Sequence, residues 1–214
     1  QSLSHPFMFS SLVIIDPCLT LTLPSKVLAS AGIDAFCHAV EAYWSLNEDP
    51  ITLAHSLEAI RLIFSNLEKS YCENDIKYRV NMSKASLLAG LSLSSAKTNS
   101  SHSMGYSLTQ YFNVPHGEAS AMFLPALFEF NFDAMGEKAK ILSKLLDIKS
   151  GLDGKKKIRK MMKNIGLPIR LRDIGVKKTD FDFIIEKGFI PFRMADNPRQ
   201  ISKEDINKIV SESY

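Results

Sequence analysis

The sequence predicts a mainly α-helical chain with a short β lead-in. Three observations carry this reading. Apolar residues recur at helical spacing from Ser25 almost to the C-terminus. Helix-start signals sit ahead of those stripes. Strict alternation is confined to the first stretch of the chain. The domain reading is a β segment over residues 1–24 followed by an all-helical domain over 25–214. No glycine-rich phosphate loop follows a strand, and Gly151-Leu152-Asp153-Gly154 is too short to be one. The stretch therefore holds no Rossmann-like unit of its own.

The elements follow in order. Gln1 reads as a processed or engineered terminus; residues 1–11 read as partly foreign, and the opening Gln1 to His5 carries no weight. Leu12 to Ile15 is a β-branched run stopped by Asp16-Pro17, and Leu19 to Leu23 alternates as a half-buried strand would. Ser25 caps a short helix that Gly32 interrupts, and a second runs from Ile33 to Trp44. Asp49 followed by Pro50 opens a long helix with a stripe of Leu53, Leu57, Ile60, Phe64 and Leu67. The next helix, Asp75 to Leu93, places the small residues Ala85, Ala89 and Ser92 on one face. After a polar stretch, His102 to Phe112 is helical. Another helix starts after Gly117, with Pro125 kinking or ending it. Met135, Ala139, Leu142 and Leu146 mark a further stripe; Ile158, Met161, Met162 and Ile165 mark one between Lys155 and Ile165. Residues 188–200 read as a loop. Ser202 with Asp205 reads as a capping box for the last helix.

Composition excludes several classes. The 214 residues are 45% hydrophobic and 23% charged, with a net charge of +3 that demands neither nucleic acid nor an anionic membrane. Lys155, Lys156, Lys157, Arg159, Lys160 and Lys163 interleave with an apolar stripe and so form a solvated helix face. No apolar run reaches the roughly 18–20 residues needed to span a bilayer. Cys18, Cys37 and Cys72 are odd in number and lack C-x-x-C spacing, which points to a reducing cytoplasm. Cys37 reads as core.

Asp34 and His38 stand one turn apart on the same helix face, amid Ile33, Phe36, Val40, Tyr43 and Trp44. Burying them unpaired is costly, so they either share a cation or pair with each other or a neighbour. His102 lies at a helix start, and His116 at the break Pro115-His116-Gly117. Three imidazoles with one carboxylate suit Fe(II) or Zn(II) better than Mg(II) or Ca(II). Spacing joins only the first pair.

The segments GIDAFCHAVEAYWS and SAKTNSSHSMGYSLTQYFNVPHGEASAMFLP resemble the two signature regions of the iron-containing alcohol dehydrogenase family, within the dehydroquinate synthase-like superfamily. VIIDPCLTLTLP and NPRQISKEDINKIV resemble its flanking regions. The resemblance implies the C-terminal multi-helix domain of that fold, with Asp34, His38, His102 and His116 holding one divalent metal. It also implies a metal-dependent oxidation of a primary alcohol to an aldehyde with NAD or NADP. The nucleotide would bind a preceding domain that this stretch lacks, so the isolated chain is expected to be inactive. Many members carry a further histidine where this sequence has Tyr106. That tyrosine is a candidate proton relay or a packing aromatic. Lys97 is a candidate for a negatively charged substrate group or a cofactor phosphate, with a solvated lysine as the plainer reading. A small alcohol or aldehyde substrate and a homodimer complete the expectation. A non-redox relative with a Glu-richer ligand set, or an inactive truncated helical module, would be the alternatives.

Overall fold

The computed structural model describes His5, Phe7 and residues 10–214. Ten α-helices are seen among them: α1 (Ser25–Trp44), α2 (Pro50–Cys72), α3 (Ile76–Ala96), α4 (Ser100–Phe112), α5 (His116–Asn131), α6 (Glu137–Leu146), α7 (Gly151–Asn164), α8 (Phe181–Gly188), the single turn α9 (Pro191–Met194) and α10 (Lys203–Glu212). The mainly helical expectation holds, and the described residues contain no strand.

Two helices organise the rest. α1 packs against α2, α3, α4 and α5, while α5 also meets α7 and α10. Both are apolar on nearly every side, as helices at the centre of a layer must be. Phe36, Tyr43 and Trp44 of α1 and Phe123 and Phe128 of α5 are among the largest fully buried side chains. Ala85, Ala89 and Ser92 of α3 are fully buried, consistent with the close approach expected of that face.

Several boundaries correct the sequence reading. Among the described residues of 1–24 the β lead-in does not form; residues 1–4, 6, 8 and 9 lie outside them. Pro17–Thr20 is a 3-10 turn, because Asp16 accepts a hydrogen bond from the Cys18 amide (2.9 Å) and Pro17 presets the first turn. Leu12 to Ile15 has no regular structure and is exposed. Gly32 does not interrupt α1. A Cβ there would stand 2.3 Å from Leu67 Cδ1, so glycine serves the close crossing of α2. Pro125 neither ends α5 nor breaks it; packing on all sides holds the helix across the lost hydrogen bond. α7 begins at Gly151, capped by Ser150, and so includes the Gly-Leu-Asp-Gly turn. Residues 188–200 contain α9, and α8 went unforeseen. The caps at Asp49 and Ser202 stand where expected, the latter in a capping box with Asp205, and Asp75 proves to be the cap of α3 rather than its first residue.

The carboxyl of Asp49 is held below its ordinary 3.8, first by the Thr52 backbone N–H it accepts. A depressed folded-state value means the cap stabilises above the unfolded-chain value and loses that contribution as pH falls through the folded one. Asp49→Ala is therefore expected to lower the urea midpoint at neutral pH. The difference from the unaltered chain should shrink when the titration is repeated near pH 3 (about the range set by a carboxylate).

Candidate metal centre

The centre lies where α1 meets the N-terminal ends of α4 and α5. Asp34, His38 and Glu41 recur along one stripe of α1 at spacings of four and three. His102 sits in the first turn of α4, and His116 is the first residue of α5. A ring at a helix end can point across the layer rather than along it, which lets two separate termini aim at one stripe.

The four predicted residues converge. His38 Nε2 lies 3.8 Å from Asp34 Oδ2; His102 Nε2 and His116 Nε2 lie 3.3 and 3.9 Å from Asp34 Oδ1. Donors about 2.1 Å from a tetrahedral cation stand about 3.4 Å from one another, so these gaps are close to what one ion requires. Asp34, His38 and His102 each offer a ligand atom, all within 4.8 Å of one another. His116 lies outside that trio and reaches it through Asp34 Oδ1, at 3.9 Å. The His38 and His102 rings stack at 4.7 Å with 10° between planes, and the His116 ring is 5.3 Å from that of His102.

Two buried atoms in this cluster lack a hydrogen-bond partner: Asp34 Oδ1 and His102 Nε2. Orphaned polar atoms in a buried site are costly, and a cation between them would satisfy both. The electrostatics agree. Burial works against charge on His102, but Glu41 and Asp34 outweigh it and push its pKa up to about 9. Burial lowers the pKa of His38, leaving that ring readier to be neutral. Burial also opposes ionisation of Asp34, yet His102, His38 and His116 hold its carboxyl below the usual range. The two carboxylates thus favour positive charge on the buried side of the cluster.

His102 is 1% exposed, whereas His116 is 43% exposed, so the cluster is closed behind and open in front. A cleft of about 410 Å³ adjoins it, lined by Val27, Ala31, Asp34, Pro115 and His116 among others. Lys26 and Glu118 stand at the same cleft, and burial raises the Glu118 pKa. Tyr106 flanks the far side: its ring is 5.8 Å from that of His116, and the Arg193 guanidinium lies 5.1 Å from it. Lys97 is exposed at the end of α3, in a left-handed backbone conformation (φ 57°), and makes no hydrogen bond or ion pair with the cluster.

Residues 28–214 match the profile described as Fe-containing alcohol dehydrogenase family, C-terminal. The chain belongs to this family. The 1,3-propanediol dehydrogenase of Citrobacter freundii is 35% identical over 213 residues, covering 95% of this chain and 55% of that protein. The NADPH-dependent butanol dehydrogenase of Clostridium saccharobutylicum is 31% identical, covering 92% and 53%. Among solved structures, 1,3-propanediol oxidoreductase superposes with a TM-score of 0.85 at 35% identity, covering 93% of this chain and 55% of that one. The sulfoacetaldehyde reductase of Bifidobacterium kashiwanohense, solved in complex with NAD+, gives 0.86 at 27% identity, covering 92% and 52%. The chain spans about half the length of the relatives it matches.

Glu41 is the site residue that sequence reasoning missed. It is fully buried, and its Oε2 lies 2.5 Å from His102 Nδ1. The signal was present: a glutamate seven residues after Asp34 shares its face of an apolar helix. Of the polar stretch around His102, Asn99, Ser100, Ser101 and Ser103 are buried. Ser101 Oγ donates to the Ser120 carbonyl (2.6 Å) and Ser103 Oγ to that of Gly188 (2.9 Å), tying α4 to α5 and α8.

Gly117 keeps α5 close to α1 beside the cluster. A Cβ there would stand 2.1 Å from the Ser30 carbonyl oxygen and 2.8 Å from Asp34 Cβ. The first obstacle is backbone, which cannot rotate aside. Gly117→Ala is expected to cost about 1–3 kcal/mol in urea unfolding through overpacking. A midpoint equal to the parent's would show that the helices separate freely here.

Proposed function

We propose that this chain is the metal- and substrate-binding half of an NAD(P)-dependent alcohol dehydrogenase acting on small primary alcohols or aldehydes. The observation that supports it best is the set of three imidazole Nε2 atoms ringing one carboxylate, two of whose atoms are buried and orphaned. Asp34, His38, His102 and His116 would hold the ion. Fe(II) fits the family's name, and the same donors accept Zn(II). A divalent cation at this position supplies Lewis acidity to an alcohol or aldehyde oxygen.

The chain's own residues do the rest. The buried back of the cluster excludes water behind the donors. The cleft beside Val27, Ala31 and Pro115 admits a small, largely apolar substrate toward the exposed His116 edge. The Tyr106 phenol stands within reach of that edge and is assigned to orient the substrate oxygen or relay its proton. Nicotinamide chemistry would belong to a nucleotide-binding half outside this stretch; the support is that the chain spans about half the length of its relatives, one of them solved with NAD+. Lys97 is the candidate contact for its phosphate. The donor set counts one carboxylate and three histidines, which favours the dehydrogenase reading over the Glu-richer, non-redox one. The free cysteines Cys18, Cys37 and Cys72 fit a cytoplasmic setting, and no helix among the described residues is long and apolar enough to cross a membrane. Homodimerisation is the assembly expected and is read by light scattering.

Purified chain titrated with Zn(II) or Fe(II) should bind about one equivalent and melt higher, by about 2.7 kcal/mol at a hundredfold excess over Kd. Asp34→Ala and His102→Ala should lose both effects. Absence of binding in the parent chain would overturn the assignment. The isolated chain, loaded with metal and given NAD(P)H and an aldehyde, is expected to show no turnover; steady reduction by this half alone would contradict the division of labour.

A further inference from the structure

One buried carboxylate meets three N–H groups at the start of α4. Glu41 Oε1 accepts from the backbone N–H of Ser101 (2.5 Å) and of His102 (3.3 Å), and Oε2 lies 2.5 Å from His102 Nδ1. We propose that Glu41 is a positioning residue that fixes both the ring of His102 and the backbone that carries it, and so presents Nε2 to the metal. This rests on the metal-centre reading above.

The argument is one of donors and acceptors. An ionised carboxylate only accepts hydrogen bonds. When the His102 ring carries a single proton, Glu41 therefore holds it on Nδ1 and leaves the Nε2 lone pair facing Asp34 Oδ1 at 3.3 Å. Metal-bound histidines generally give their second N–H to such a partner, which sets both tautomer and ring plane. The other oxygen serves the helix. Amides in the first turn have no acceptor within the helix. The N-cap Asn99 satisfies only that of Ser100 (2.6 Å). Glu41 supplies the acceptor for the next two from across the layer. Ring orientation and helix start are thus tied to one group, on the same helix as Asp34 and His38.

Glutamine at this position keeps the shape but exchanges one acceptor for a donor. If its oxygen takes the backbone amides, its NH2 faces Nδ1, which must then accept, and the ring proton moves to Nε2. The opposite orientation sets NH2 against two backbone N–H groups. Neither arrangement preserves all three contacts.

The test compares the 214-residue chain with its Glu41→Gln and Glu41→Asp variants by Co(II) titration, read from the visible absorption of the bound ion. Both variants are expected to bind Co(II) about 10–100-fold more weakly. In the Zn(II)-loaded parent, the His102 Nδ1–H proton should give a slowly exchanging NMR signal, and Glu41→Gln should lose it. Parent-like Co(II) affinity in Glu41→Gln, or persistence of that signal, overturns the proposal. Should neither variant fold, the signal in the parent decides: present, it supports the role; absent, it removes it. A parent that takes no Co(II) fails the metal-centre reading itself, and this proposal falls with it. Equal binding by parent and variants fails only the role of Glu41.

Discussion

The architecture turns on two carboxylates, Asp34 and Glu41, set into a helix that is otherwise core. Ionised groups leave water only when partners replace what hydration gave them. α1 cannot supply those partners, because its backbone N–H groups are already spent within the helix. The ends of other helices can. The N-terminus of α4 arrives with two free amides and an imidazole, and that of α5 arrives with a second imidazole. Gly117 lets α5 come close enough for this to work. The demand of the acidic stripe and the unsatisfied needs of two helix starts answer each other at one point. What remains unanswered, an oxygen of Asp34 and a nitrogen of His102, is where chemistry can enter.

A second polar hub holds that point in place. Trp44 Nε1 donates to Asn99 Oδ1 (3.1 Å), and Ser100 Oγ donates to Asn197 Oδ1 (2.9 Å). Asn197 also exchanges hydrogen bonds with Asn131, at 2.9 and 2.7 Å. The end of α1, the start of α4, the end of α5 and the segment after α9 thus meet in a few buried amides. Such a network, when every member is satisfied, specifies a single arrangement. Residues some hundred positions apart in sequence consequently bear on where His102 sits.

Features written in adjacent residues were legible beforehand. Asp49-Pro50 and Ser202 with Asp205 mark their helices because a cap acts within one turn. Asp34 and His38 were legible as a pair for the same reason. Features that depend on a distant neighbour were not. Gly32 reads as a break until Leu67 is seen filling the space a side chain would take. The alternation of Leu19 to Leu23 suggested a strand, but Asp16 and Pro17 turn the chain before it can extend. His102 and His116 carry no local mark that joins them to Asp34, and only the family resemblance grouped them ahead of the geometry. Glu41 was readable in principle, since an acid at a heptad position of an apolar helix needs an explanation.

Leu12 to Ile15 has a consequence of a different kind. These four apolar side chains stand exposed on irregular backbone, between 43% and 84% accessible. Their sequence favours a strand, and their N–H and C=O groups face no ladder among the described residues. Such a stretch is an open template for a strand from a neighbouring molecule. In the isolated chain, adhesion between molecules would find a ready foothold here, apart from the helical layers that hold the fold.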